Sequence, residues 1–249
     1  MNAPNIDHPV VLITGAARRI GAELARLFHR AGYRVVIHYN RAAAEADKLC
    51  ESLNQQRPDS CLLVQGDLND DAGLARIVTL INSIGSLHVL INNASSFYPT
   101  PLAQTDDNQW NDLINSNLKG PFFLCKELAP LLQASAGAIV NISDMHARQA
   151  LKEHPIYSIA KAGNIAMTKS LALELAPSVR VNSVAPGAIL WPEHEADDQQ
   201  KQQSVLGKVP MGRLGRESDI AECVFFLAVG ATYVTGQTIA VDGGSSNCL

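Results

Sequence analysis

Tyr157 and Lys161 stand four residues apart, and Asp144 lies 13 residues before the tyrosine. On a helix, residues i and i+4 share a face, so the phenol and the ammonium would point into one space. A free phenol titrates near pH ~10 and a neighbouring cation favours the phenolate, so Tyr157 is expected to release its proton close to neutral pH as a general acid. The competing reading of this spacing is a pair on a solvated helix face, and the surrounding sequence argues against it.

Pro155 suits the first turn of a helix, and Ser158 to Leu175 reads as its body. The apolar run Ala138 to Ile142 reads as a buried strand ending just before Asp144. A strand end facing a helix start is where open α/β sheets bind ligands.

Val10 to Ile13, the turn at Gly15, the helical pattern Arg19 to Ala31 and the strand Arg34 to Tyr39 form a βαβ unit. Gly15 permits a sharp turn, Gly21 permits close packing, and the helix N-terminus offers N–H groups to a pyrophosphate. The second strand ends in His38-Tyr39-Asn40-Arg41, with no carboxylate before Glu45 to hold a ribose 2′-hydroxyl. Arg41 and His38, with Arg18, suit a 2′-phosphate, which favours NADPH over NADH; the alternative is a solvated basic loop.

Further strands are expected at Cys61 to Gln65, Leu87 to Ile91, Val179 to Val184 and Thr238 to Val241. Helices are expected at Asp70 to Ile84 and Glu217 to Val229. Asp67 follows the third strand, placed to accept from an adenine amino group, and Asn93-Ala94-Ser95 follows the fourth. A helix capped by Thr105-Asp106 should run to about Ala134 through Pro121. That proline removes the N–H four residues beyond Asn117, leaving the Asn117 carbonyl free to hold a water on a path to Lys161; a tolerated kink is the alternative. Residues 188–210, acidic around His194, read as a lid over the site, since no metal-ligand spacing appears there.

A chain of 249 residues with 47% hydrophobic content is expected to form one α/β domain. A net charge of −4 argues against a nucleic-acid partner. Five cysteines without CxxC spacing indicate neither a disulfide framework nor zinc and fit a cytoplasmic location. No apolar run nears the ~18 residues of a membrane span, and Met1 to Pro9 lacks a signal-peptide core.

Thr14 to Gly21 (TGAARRIG), Asp67-Leu68, Asn92-Asn93-Ala94, Asn117, Tyr157 to Lys161 and Pro186-Gly187 together resemble the short-chain dehydrogenase/reductase family over nearly the whole chain. The resemblance implies a seven-stranded, parallel, doubly wound Rossmann-like sheet with helices on both faces. It implies Tyr157 as proton donor, Lys161 on the nicotinamide ribose, Asn117 in the relay, and cofactor contacts along Gly15, Arg18, Arg19, Ile20, Tyr39, Arg41, Asp67, Leu68, Asn93, Ala94, Ser95, Pro186 and Gly187.

Three departures look like the pteridine reductases: Arg19 at a usual glycine, Asn93 to Pro99 in place of the glycine after Asn-Ala, and Asp144 at the usual catalytic serine. By that resemblance Arg19 reaches pyrophosphate and pterin, Ser95 contacts both ligands, Phe97 stacks on the ring and Asp144 supports Tyr157. A homotetramer through the helices bearing Asn117 and Tyr157 is also implied. The expected activity is NADPH-dependent reduction of a pterin or folate. A dihydromonapterin-selective reductase, a carbonyl or 3-oxoacyl reductase, and a dinucleotide sensor without turnover stand as alternatives.

Overall fold

A computed structural model of the chain describes residues 8–189 and 206–247. The expected lid lies largely outside the described residues, including His194 and the acidic residues around it. Seven strands alternate with helices in chain order: β1 (Val10–Ile13), α1 (Arg19–Arg30), β2 (Arg34–Tyr39), α2 (Ala43–Gln56), β3 (Cys61–Gln65), α3 (Asp71–Ile84), β4 (Val89–Asn92), α4 (Asp107–Ile114), α5 (Gly120–Ala134), β5 (Ala138–Ile142), α6 (Pro155–Glu174), β6 (Arg180–Pro186), α7 (Glu217–Phe225) and β7 (Thr238–Val241).

The strands form one parallel sheet in the order β3-β2-β1-β4-β5-β6-β7. Strand residues alternate between two faces, and each face carries its own core. Val11, Ile13, Val35, Ile37 and Ile91 pack with Leu24 and Phe28 of α1 and Ile220 and Val224 of α7. Val10, Leu12, Val36 and Leu90 pack with Ile77 and Ile81 of α3 and Leu124 and Leu128 of α5. The strand order reverses between β1 and β4, and the crevice beyond those strand ends is where such a sheet takes a ligand.

The expected single helix from residue 106 to 134 is divided. Asp106 and Gln109 form a capping box that starts α4, and residues 115–119 then make a π-turn before α5. Gly120 N–H donates to the Asn115 carbonyl, five residues back, and Pro121 falls in the first turn of α5, where its missing N–H is tolerated. A second π-turn, Phe226–Gly230, takes over the last stretch of the expected last helix. The Arg180 guanidinium donates to the carbonyls of Leu227, Ala228 and Ala231 there, satisfying groups that a regular helix would have bonded itself.

Candidate active site

The turn after β1 is held from three sides. Thr14 is fully buried, and its Oγ1 accepts from the Asn93 and Ala94 N–H groups at 2.9 and 3.0 Å. The Asn93 amide donates to the carbonyls of Thr14 and Gly15 at 2.8 and 3.0 Å. Asn93 therefore fixes the turn, and the loop after β4 lies hard against it. Gly15 has φ +63°, and a Cβ there would sit 2.8 Å from Ala94 Cα. Only glycine fits both conditions.

Below the turn lies His38, whose expected role needs correction. Its ring is 1% exposed; Nδ1 faces the Gly15 N–H at 3.2 Å and Nε2 the Gly66 carbonyl at 3.0 Å. These partners require the neutral tautomer, with Nδ1 accepting and Nε2 donating. Burial pushes the ring down to about 4, against which the Gly66 and Asp67 contacts are smaller. A neutral, enclosed ring with both nitrogens engaged does not reach a 2′-phosphate. It ties the glycine turn to the end of β3.

The other residues expected on the cofactor lie around the outer rim. Arg41 is exposed, with no ion pair among the described residues. Tyr39 is half-buried beside it. Glu45, the first carboxylate after β2, is taken by the Arg18 guanidinium. Asp67 is half-buried and accepts the Asn69 N–H, while the Leu68 side chain is buried in the second core. Ile20 packs on the first core, and Pro186-Gly187 closes β6, where a Cβ on Gly187 would meet Asp242 Cα at 2.6 Å.

The groove fits a dinucleotide. Helix α1 begins without a side-chain cap and with no acidic residue in its first turn, so its N–H groups are free for a pyrophosphate. Arg19 holds φ +51°, a left-handed conformation that costs a non-glycine residue roughly 1–2 kcal/mol.

Farther along the strand ends, the Tyr157 hydroxyl donates to Asp144 Oδ2 at 2.7 Å, and Asp144 Oδ1 accepts the His146 N–H at 2.8 Å. Both carboxyl oxygens are acceptors in this arrangement. Lys161, 2% exposed, donates to the Ile142 carbonyl at 3.0 Å, its ammonium 5.6 Å from the Tyr157 ring centre. Desolvation lowers Lys161 to about 8, with Asp144 acting the other way.

The tyrosine departs from expectation in the direction of its shift. Burial and then the Asp144 carboxylate raise the phenol far above its ordinary range, against which the Ser95 hydroxyl is smaller, whereas the Lys161 cation was expected to lower it. Tyr157 is held protonated, a donor with its proton in place.

Ser95 Oγ donates to Asn117 Oδ1 at 2.7 Å, so the loop after β4 meets the π-turn. The Asn117 amide donates to the Ser96 and Leu113 carbonyls, each at 3.0 Å. Its own carbonyl, expected to be free, accepts from Asn164 Nδ2 at 3.3 Å. Phe97 stands edge-on to Tyr157, centroids 4.8 Å apart, and stacks on His154 at 4.7 Å with 11° between planes. Phe97 is 56% exposed, an aromatic wall beside the hydroxyl. His154 and Asn164 carry no motif that marks them in sequence; His154 belongs to a loop and Asn164 reads as one more polar helix residue.

Comparison with known proteins agrees with this geometry. A family profile described as Enoyl-(Acyl carrier protein) reductase matches residues 15–246. Pteridine reductase 1 of Leishmania tarentolae is 36% identical, over 96% of this chain and 96% of its own. The 3-oxoacyl-(acyl-carrier-protein) reductase FabG of Staphylococcus aureus is also 36% identical, over 94% of this chain and 96% of its own. The corresponding FabG of Staphylococcus epidermidis is 34% identical, over 94% and 97%. With a nicotinamide-dinucleotide groove, an intact Asn117, Tyr157 and Lys161 set and matches of this extent, the chain is an oxidoreductase belonging to the short-chain dehydrogenase/reductase family.

Proposed function

We propose that the protein is an NADPH-dependent pteridine reductase, taking a dihydropterin, or dihydrofolate, to the tetrahydro form. The observation that carries this reading is the 2.7 Å bond from the Tyr157 hydroxyl to Asp144, beside the exposed ring of Phe97. A pterin is a flat, polar heteroaromatic, and an aromatic wall suits one of its faces. Reducing its C=N bond requires a proton on ring nitrogen, and a carboxyl behind the tyrosine suits that better than a serine, which can bond a simple carbonyl oxygen.

When bound, the nicotinamide supplies a hydride to the acceptor carbon. Tyr157 gives its proton to the adjacent nitrogen, Lys161 stabilises the phenolate left behind, and Asp144 orients the hydroxyl. Arg41 would hold the 2′-phosphate, and Arg18 neutralises Glu45, the carboxylate that would oppose it. Arg19 retains a backbone conformation that glycine would adopt without penalty, which supports a role for its side chain toward pyrophosphate and ring. Ser95, already bonded to Asn117, lines the same place.

We also infer a homotetramer in a reducing cytosol. Ile114, Leu118, Phe122, Phe123 and Met167 line an apolar recess of ≈ 500 Å³ on the outer face of α4, α5 and α6, and Leu173 nearby is 81% exposed. Exposed apolar surface of this kind is characteristic of an interface, and a second copy offers the same helices. Cys50, Cys61, Cys125 and Cys223 are free thiols, as that compartment would keep them.

A 3-oxoacyl reductase is the second reading, favoured by FabG relatives as similar as the pteridine reductase. Oxidation of NADPH with 7,8-dihydrobiopterin, followed by absorbance, separates the two. Turnover with a pterin supports the first; acetoacetyl thioester turnover and none with any pterin or folate overturns it.

A further inference from the structure

Asn164 is 1% exposed and one turn beyond Lys161 on α6, on the same face. It meets the π-turn because Gly163 lets the helices close; a Cβ there would lie 2.7 Å from Leu118 Cδ2. Its Nδ2 donates to the Asn117 carbonyl, the acceptor that Pro121 releases from helical bonding. The amide has to be oriented this way, since the reverse would set oxygen against oxygen. That orientation turns Oδ1 elsewhere, and Oδ1 is buried without a hydrogen-bond partner.

A buried amide oxygen left unpaired costs on the order of 1–3 kcal/mol, so it should be matched to a donor. Three residues back on the same helix face, the Lys161 ammonium carries three N–H groups, and among the described residues its one hydrogen bond goes to Ile142. We propose that Asn164 is a positioning residue for proton supply: its Oδ1 holds a single water against the Lys161 ammonium, while its Nδ2 occupies the carbonyl of Asn117. The side chain thus adds an acceptor beside the Asn117 carbonyl, whose second lone pair stays open.

The proton count is simple. In each turnover the Tyr157 O–H bond breaks as the product N–H or O–H bond forms. The phenolate regains a proton from the ammonium, the amine from the held water, and the water from bulk solvent. One proton enters and no oxidant is needed. The inference requires a family reductase with this tyrosine and lysine; it does not depend on the acceptor being a pterin.

Two variants test it in opposite directions. Asn164→Leu removes the acceptor, so the ammonium is less solvated and should titrate below about 8. Asn164→Asp puts a carboxylate there and should move it above that value. The direct readout is the pH titration of 13C-labelled lysine by NMR in the ligand-free protein. The companion readouts are NADPH affinity by fluorescence, and the pH profile and solvent isotope effect on kcat with whichever acceptor is turned over. Expected are opposite shifts of about one pH unit, a kcat roughly tenfold lower for Asn164→Leu with a larger solvent isotope effect, and NADPH affinity within about twofold. Should Asn164→Leu fail to fold, Asn164→Asp alone decides by the sign of its shift. A Lys161 titration unmoved in the folded variants, or moved the same way in both, overturns the proposal.

Discussion

The Tyr157 hydroxyl and the Asp144 carboxyl are joined by a 2.7 Å hydrogen bond across 13 residues of chain. The bond spans the turn after β5 and the first turn of α6, so the end of an interior strand fixes the acid and the helix fixes the phenol. The consequence is a tyrosine that keeps its proton until an acceptor replaces the carboxylate.

Asp144→Ser should therefore lower kcat with a pterin about 100-fold, the usual size of a lost acid–base contribution, without creating activity on an acetoacetyl thioester. Steady-state kinetics on both acceptors checks this. A gain on the thioester would favour the carbonyl reductase.

Lys161 sets an alkaline limit. With its ammonium lowered to about 8, it is charged below that pH and loses its charge above it, so kcat should fall through a limb near pH 8. Asp144 supports that charge, and Asp144→Asn should move the limb to lower pH in the activity that remains. The kcat–pH profiles of both proteins measure it.

His38 predicts an acid weakness in folding. The unfolded chain takes up a proton near the ordinary 6.5, the folded ring only near about 4, so stability present above pH 6.5 is lost as pH falls toward 4. The loss amounts to about 3 kcal/mol, and His38→Gln should remove most of that slope while lowering stability at pH 7. Urea unfolding across this range compares them. Equal slopes would reject the clamp.

Arg41→Ala should raise the KM for NADPH roughly tenfold and leave the KM for NADH little changed, because a charged hydrogen bond to the 2′-phosphate is lost and nothing else is touched. Parallel titration with the two dinucleotides reads this directly.

Strands and helices were legible because each face of the sheet is apolar at every second residue and each helix carries its own punctuation. Asp144 and Tyr157 were legible too, since a strand end and a helix start fixed their meeting. His38 was not: the two-residue alternation marks a face but does not show that a ring curls under a neighbouring turn to bond Gly15 and Gly66. The π-turn escaped because Pro121 signals a break without saying how hydrogen bonding resumes. The rise in the Tyr157 phenol was missed for a third reason. Spacing revealed the Lys161 cation, whereas the dominant cause, burial, belongs to tertiary packing.

The most direct test of the central claim is a crystal structure of the complex with NADPH and a dihydropterin. The account predicts the Phe97 ring flat against the pterin and the Tyr157 hydroxyl within about 2.6–3.2 Å of a ring nitrogen. A pterin bound away from Phe97, or a Tyr157 hydroxyl bonded only to a carbonyl oxygen, would contradict it.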